Sequence, residues 1–141
     1  PDLVDNFLAT DLNPAVIELL DENLAASGAG RDNRFPTGLA DALSLAENPN
    51  LVRQFDLLLM NLPHDTIDHL PRLLPLLRDD SPTLLRGWVV LEEVEIPAAE
   101  ARLGERIASM QPSPNSCELE IRRQYSTTKV LTRFTAWLGD C

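Results

Sequence analysis

Residues 7–28, FLATDLNPAVIELLDENLAASG, carry the pattern of a strand, a tight turn and a helix. The apolar run FLAT ends at Asp11 and is too short to be a helix. Asn13 is a good N-cap, and Pro14 suits the first helical position, where an N–H group would have no partner anyway. Apolar residues then recur at helical spacing until the small residues at 27–30 end the helix. This stretch therefore predicts a strand followed directly by a helix.

The rest of the chain continues this alternation. Residues 55–60, FDLLLM, form an almost continuous apolar run, which is typical of a parallel strand covered on both faces. The last two segments alternate at period two and predict an antiparallel hairpin at the edge of the sheet. We predict strands at 7–10, 34–37, 55–60, 87–91, 117–122 and 130–137, and helices at 14–26, 41–47, 67–77 (broken at Pro71 and Pro75) and 98–110. The predicted fold class is α/β, a mostly parallel sheet with a terminal antiparallel hairpin, in one domain over residues 1–141.

Composition and charge limit the classes of function. The chain has 141 residues and a net charge of −10, from 12 basic and 22 acidic residues. Because binding a phosphate backbone needs lysines and arginines, any nucleic acid should be contacted mainly by regions outside this segment. No apolar run reaches the roughly 20 residues that span a bilayer, so we expect no membrane partner. The chain begins with Pro1, which indicates a piece of a longer protein.

The two cysteines and two histidines do not form a metal site in the sequence. Cys117 and Cys141 lack metal-ligand spacing and are interpreted as reduced thiols of an intracellular protein. His64 and His69 lie five residues apart, which does not place them on one helical face. We therefore predict no metal ligand. A nucleophile elbow, a phosphate-cradling glycine loop and an HExxH motif are also absent from the sequence.

Polar residues follow several of the predicted strands, at the edge where ligands bind in such sheets. Asp11 is suited to accept the hydroxyl protons of a ribose, or else to help cap the helix that begins at Pro14. Asn61 offers a donor and an acceptor on a loop stiffened by Pro63, which suits a planar substrate but is also common in ordinary turns. Glutamates at 92, 93 and 95 are more consistent with a solvated strand end than with a substrate contact.

Taken in order, these segments resemble class I S-adenosylmethionine-dependent methyltransferases. The similarity is to the archaeal and eukaryotic tRNA guanine-N1 methyltransferases acting at position 37, and to the related wybutosine-pathway aminocarboxypropyl transferase. Their D-x-N-P motif is matched by residues 11–14, their acid-plus-small pair by Asp41 and Ala42, and their N-L-P loop by residues 61–63. Tyr125 and Ser126 resemble the turn of their terminal hairpin, although Thr127 stands where they have proline. The resemblance covers nearly the whole chain.

The resemblance implies a Rossmann-like three-layer sandwich that here lacks its first strand. It implies S-adenosylmethionine as cofactor, with Asp11 on the ribose and Asp41 and Ala42 at the adenine. Asn61 and Pro63 would form the target-base pocket, Asn61 would also border the cofactor, and Asn13 would help shape the catalytic pocket. In the family, the proton acceptor and the carbonyl-stabilising donor are a glutamate and an arginine on segments that precede this one, so neither role is assigned here.

The expected function is therefore methyl transfer from S-adenosylmethionine to RNA, with a tRNA guanine N1 as target, catalysed by the full-length protein. One alternative is a non-catalytic, methyltransferase-like structural subunit of a larger assembly, such as a ribonucleoprotein. A third hypothesis is transfer of the aminocarboxypropyl group from the same cofactor. We expect tRNA or another RNA as partner, and a cytoplasmic location or, alternatively, a mitochondrial one.

Overall fold

The structure is a computed structural model that describes residues 4, 6–27, 35, 37–109 and 114–139. It divides into two compact units, Pro1–Leu45 and Ala46–Cys141. Each unit contains its own sheet. That residues 1–141 form a single partial domain stays a prediction.

The first unit contains a pair of short parallel strands and one helix. Strand β1 (Thr10–Asp11) pairs with β2 (Gly38–Leu39), and α1 (Pro14–Ser27) follows β1, as predicted. The strand predicted at 7–10 is shorter than expected, since only Thr10 of that range pairs. The strand predicted at 34–37 is displaced to Gly38, whose φ of 137° favours glycine. Arg34 and Pro36 lie outside the described residues. The helix predicted at 41–47 is a 3₁₀ helix, Ala42–Glu47.

The second unit contains a four-stranded mixed sheet in the order β3-β4-β6-β5. Strand β3 (Leu57–Met60) is parallel to β4 (Thr83–Glu92), and β6 (Lys129–Leu138) is antiparallel to β4. Strand β5 (Pro114–Gln124) pairs with β6 and forms the edge of the sheet over the described residues. The predicted terminal hairpin at the edge of the sheet is therefore confirmed.

Two helices of the second unit pack on one face of this sheet. Helix α2 (Thr66–Leu73) continues through Pro71, so the break predicted at that proline is wrong. The helix then passes into a 3₁₀ turn, Leu74–Leu76, which contains Pro75 and confirms the second predicted break. Helix α3 (Ile96–Ala108) also contributes to the core. The core cluster joins one side chain from each helix to the inward face of β4, at Ile67, Ala99, Val89 and Leu91. None of the helices in the described ranges is long and apolar enough to cross a membrane.

The opposite face of the sheet is more exposed than the sequence predicted. In β3, Leu57 is 41% exposed and Leu59 is 58% exposed, and in β6 Trp137 is 45% exposed. The prediction that residues 55–60 form a strand covered on both faces is therefore wrong for the described residues. An apolar run shows that a strand can be buried on both faces. Whether both faces are buried depends on which other segments of the protein pack against them.

Candidate functional site

Two carboxylates lie at one edge of the β1–β2 pair. Asp11 ends β1 and is paired in register with Leu39, and Asp41 follows Leu39 by two residues. The N–H of Ala40 donates to the carbonyl oxygen of Asp11 at 3.2 Å, which keeps the chain after β2 beside the end of β1. Both aspartates are exposed. The first unit thus brings two predicted site residues to the carboxyl ends of parallel strands, where ligands of such sheets bind.

Asp11 and Asn13 organise the turn that starts α1. The N–H of Asn13 donates to Oδ1 of Asp11 at 2.8 Å, and the N–H of Ala15 donates to Oδ1 of Asn13 at 3.1 Å. Asn13 is therefore the N-cap, as predicted, and Asp11 supports the turn without capping the helix itself. Oδ2 of Asp11 makes no hydrogen bond to a described residue. This geometry leaves that oxygen available for a ribose hydroxyl, so the structural and the ligand-binding interpretation are compatible.

Asp41 has a similar arrangement at the start of the following 3₁₀ helix. The N–H of Leu43 donates to Oδ1 of Asp41 at 2.9 Å. The carbonyl oxygen of Asp41 accepts from the N–H and the hydroxyl of Ser44, at 3.1 and 2.9 Å. Ala42 is the first residue of that 3₁₀ helix and is half-buried. One carboxylate oxygen of Asp41 is again free of bonds to described residues.

In the second unit, the loop after β3 is attached firmly to β4. The carbonyl oxygen of Pro63 accepts a hydrogen bond from the N–H of Val90 at 2.7 Å. The hydroxyl of Thr66, which is fully buried, lies 2.6 Å from the carbonyl oxygen of Leu62 and 2.9 Å from that of Trp88. The sequence predicted a stiff loop from Pro63 alone, and the buried threonine adds a second constraint. Asn61, at the start of the loop, is exposed.

The loop forms one wall of an open, mainly apolar cavity of about 460 Å³ in the second unit. Its lining comes from β3, the loop, β4 and the β5–β6 hairpin: Leu59, Asn61, Pro63, Trp88, Arg123, Tyr125 and Leu131. Ligand cavities of this size, with few polar groups among apolar walls, are typical of small-molecule and base-binding sites. Two predicted site residues, Asn61 and Pro63, are therefore brought together with five others.

The turn of the hairpin is held over the loop by an aromatic contact. The ring of Tyr125 meets the ring of His64 edge to face, with centroids 6.1 Å apart and planes at 78°. The N–H groups of Tyr125 and Ser126 donate to the carbonyl oxygen of Lys129, at 2.9 and 3.0 Å. The turn predicted at Tyr125 and Ser126 is confirmed, and it positions the tyrosine ring at the cavity.

Four of the lining residues were not singled out from the sequence, and Leu59 was named only as part of the apolar run 55–60. Trp88 was placed in a buried strand, although period-two alternation gives it a face opposite to that of the buried Val89. Leu131 follows from the same rule in β6. Arg123 has no comparable signal, because the ladder of β5 shifts register between Ile121 and Arg123. Such an irregularity depends on the pairing of two strands and not on local sequence.

The remaining polar candidates lie outside the cavity lining. The N–H of Glu92 donates to Oε2 of Glu95 at 2.9 Å, and the reciprocal bond completes a capping box at the end of β4. These exposed glutamates therefore have a structural role at the strand end. His69 lies in α2 and is half-buried. Cys117 carries a free thiol, and Cys141 lies outside the described residues. Over the described ranges, no cluster of three metal-ligating side chains occurs.

No protein-family model matches the chain. No curated protein matches it either. Several solved structures match the chain. TYW2 of M. jannaschii in complex with AdoMet has a TM-score of 0.74 and 19% identity, and the match covers 96% of this chain and 58% of the TYW2 chain. The tRNA m1G37 methyltransferase of M. jannaschii has a TM-score of 0.64 and 17% identity, covering 96% and 37%. A complex of aTrm5 and tRNALeu has a TM-score of 0.64 and 16% identity, covering 96% and 36%.

These similarities extend over almost the whole chain, but the identities of 16–19% carry information about the fold alone. The chain spans 36–58% of the length of those three proteins. The resemblance inferred from the order of the D-x-N-P, Asp-Ala and N-L-P segments is confirmed at the level of three-dimensional structure. The chain has the mixed α/β, Rossmann-like fold of the S-adenosylmethionine-dependent methyltransferases to which it is similar.

Proposed function

We propose that this chain is part of an S-adenosylmethionine-dependent enzyme that methylates RNA, with tRNA as substrate and a guanine N1 as target. The observation that supports this most directly is the pair of exposed aspartates, Asp11 and Asp41, at the carboxyl ends of two parallel strands. Similar solved structures include a TYW2 in complex with AdoMet and a Trm5 in complex with tRNA. We include a cytoplasmic location in the proposal, with a mitochondrial one as the alternative.

The carboxylates at this edge of the first unit are hydrogen-bond acceptors, which suits the ribose hydroxyls of the cofactor. Oδ2 of Asp11 would accept hydrogen bonds from the ribose hydroxyls while Oδ1 remains on the N–H of Asn13. Asp41 and Ala42 would contact the adenine. When bound, S-adenosylmethionine supplies a sulfonium methyl group, which is already a strong electrophile. The protein then contributes chiefly orientation, proximity and removal of the proton.

The cavity of the second unit is suited to a planar base. Asn61 offers an amide with both a donor and an acceptor, and Trp88 and Tyr125 offer aromatic surface. Guanine N1 carries a proton that has to leave as the methyl group arrives, so a general base is needed. Among the residues that the structure describes, no carboxylate and no histidine lines the cavity. We therefore expect the base on a region of the full-length protein other than this cavity.

A binding experiment with the full-length protein tests the cofactor site. Asp11→Asn keeps an oxygen for the N–H of Asn13 but replaces the second acceptor with a donor and removes the charge. We expect the affinity for S-adenosylmethionine to fall by about 10- to 100-fold, the usual effect of losing hydrogen bonds to a charged group. Asp21→Asn, an exposed residue on α1, removes the same charge from the same unit and should leave the affinity unchanged.

Calorimetric titration gives both affinities. The proposal fails if the native protein shows no binding at millimolar cofactor, or if Asp11→Asn binds as tightly as the native protein. The product is identified by incubating the full-length protein with S-adenosylmethionine and an unmodified tRNA transcript. The mass of the modified nucleoside then distinguishes methyl transfer from aminocarboxypropyl transfer, and its chromatographic identity reports whether guanine N1 is the target.

A second candidate function is that of a non-catalytic subunit in a larger assembly. The exposed apolar side chains on one face of the four-stranded sheet, Leu57, Leu59 and Trp137, favour it, because exposed apolar patches often mark contacts with other proteins. If the native protein is a free monomer that methylates RNA, this candidate is excluded. If it occurs only in a complex and does not bind the cofactor, the candidate is supported.

A further inference from the structure

A β-bulge in β5 places Arg123 on the side of the sheet that forms the cavity. Ile121 pairs with Thr132, yet Arg123 pairs with Leu131, so Arg122 is the extra residue. In a regular ladder, Arg122 would lie opposite Leu131. Directly opposed residues of antiparallel strands share a face, and bulges often re-aim a side chain next to a binding site. Leu131 lines the cavity, and so does Arg123.

The two neighbouring arginines differ in their ion pairs. Arg122 donates to Oε1 of Glu120 at 2.7 Å, and the second oxygen of that glutamate accepts from Arg133. Arg123, in contrast, makes no ion pair with any residue that the structure describes. Arg86, Arg102 and Lys129 also lack an ion pair among the described residues, but of these cations Arg123 is the one that lines the cavity. An anionic group of a ligand would supply the partner.

The other residues of the cavity indicate which ligand carries that anion. Bases of single-stranded or flipped-out nucleotides stack on aromatic side chains and are recognised by hydrogen bonds at their edges. The cavity offers the rings of Trp88 and Tyr125 and the amide of Asn61 for these contacts. Guanidinium groups bind phosphate through paired hydrogen bonds. Aromatic surface, an amide and a free guanidinium together match a nucleotide: its base, the edge of that base and its phosphate.

We propose that Arg123 binds the 5′-phosphate of the nucleotide whose base occupies this cavity. The inference rests on the proposed function, which identifies the substrate as RNA. It adds a contact that holds the target nucleotide in the cavity. The bulge at Arg122 is then the feature that sets which of two adjacent arginines serves the phosphate. The other arginine remains tied to Glu120 on the protein surface.

Guanosine and guanosine 5′-monophosphate are the probes that test this contact. The chain has two tryptophans, so Trp137→Phe leaves the indole N–H of Trp88 as the one tryptophan reporter within these 141 residues in nuclear magnetic resonance spectra. In that background, we expect the nucleotide to shift the Trp88 signal and to bind about tenfold more tightly than the nucleoside, since one charge-assisted contact is worth about this factor. Arg123→Gln should reduce the preference to near unity, while Arg122→Gln should retain it.

With the full-length protein and an RNA substrate, Arg123→Gln should raise KM about tenfold, leave kcat unchanged and lower the slope of log affinity against log salt by about one. The inference is overturned if nucleoside and nucleotide bind equally well, or if the Trp88 signal does not move. It is also overturned if the preference for the nucleotide survives Arg123→Gln, or if both arginine variants lose it equally. Cofactor binding is measured separately through Asp11→Asn. Failure of the phosphate contact and failure of the methyltransferase proposal are thus distinguishable.

Discussion

Gly87→Ala should destabilise the second unit, because its β-carbon has no space. A β-carbon at Gly87 would lie 2.6 Å from two ring carbons of Phe134 and 2.9 Å from the carbonyl oxygen of Met60. Carbon atoms in favourable contact are about 3.5–4.0 Å apart, so the ring would have to move by about 1 Å. Phe134 is fully buried, and the Met60 oxygen belongs to the backbone of the adjacent strand β3. Neither obstacle is able to move into solvent.

The magnitude follows from this geometry. Inserting a carbon into a packed core typically costs about 1–3 kcal/mol, and two independent obstacles place this position at about 3 kcal/mol. For a chain of this size that loss lowers Tm by roughly 6–12 °C. Gly104→Ala in α3 is the matched control, because its β-carbon would meet no atom within 4 Å. There alanine should stabilise the helix by about 0.5–1 kcal/mol and raise Tm by roughly 1–4 °C.

Thermal unfolding followed by circular dichroism measures both variants. A second variant, Phe134→Leu, removes the ring that the new β-carbon meets, so Gly87→Ala should cost at least about 1 kcal/mol less in that background. If Gly87→Ala and Gly104→Ala shift Tm in the same direction, the packing described around β4 is wrong. If the cost of Gly87→Ala is the same with leucine at position 134, the ring is not the obstacle and the reasoning fails.

Two further predictions concern the buried Thr66 and the half-buried Cys117. Thr66→Val should lower the free energy of unfolding, measured in urea, by about 1–3 kcal/mol, because two carbonyl oxygens lose the hydroxyl group beside them. Thr66→Ser keeps the hydroxyl group and should lower it clearly less. Equal losses in the two variants would contradict this. Burial, with smaller contributions from Glu100 and Glu118, raises the pKa of the Cys117 thiol to about 11. In a Cys141→Ser background, alkylation of Cys117 should therefore be slow at neutral pH and accelerate towards pH 11. Since an unfolded chain releases this proton near pH 9.0, stability should also fall as pH rises from about 9 to 11; a flat profile there would contradict the shift.

Elements defined by local chemistry were predictable from the sequence. The Asn13–Pro14 pair fixes the start of α1, and Pro75 lies in the 3₁₀ turn that follows α2. Period-two alternation gives the hairpin of β5 and β6. In each case neighbouring residues along the chain carry the information, through a cap, a lost N–H group or an alternation of faces.

Features that depend on pairing or on cover were not predictable. Strand β2 consists of Gly38 and Leu39, which have no strand pattern and are ordered as a strand by β1. The exposure of Leu59 depends on what covers β3 and not on its own sequence. The presence of Arg123 in the cavity depends on the register shift in β5. Of the candidate site, the strand-end residues and the turn at Tyr125 were therefore found, and two other residues of the hairpin, Arg123 and Leu131, were missed.

The hydrogen bonds of the candidate residues show which side chains stabilise a turn and which do not. An ordinary turn asparagine, Asn48, accepts from the N–H of Asn50 at 3.0 Å, and Asp11 and Asp41 each use one oxygen in the same way on the residue two positions ahead. Asn61 occupies an equivalent place after a strand, yet its side-chain amide makes no hydrogen bond with a residue that the structure describes. Its loop is held by the backbone of Pro63 instead. The turn therefore does not need the side chain of Asn61, which lies at the edge of the cavity. Contact with a bound base would account for an asparagine at this position.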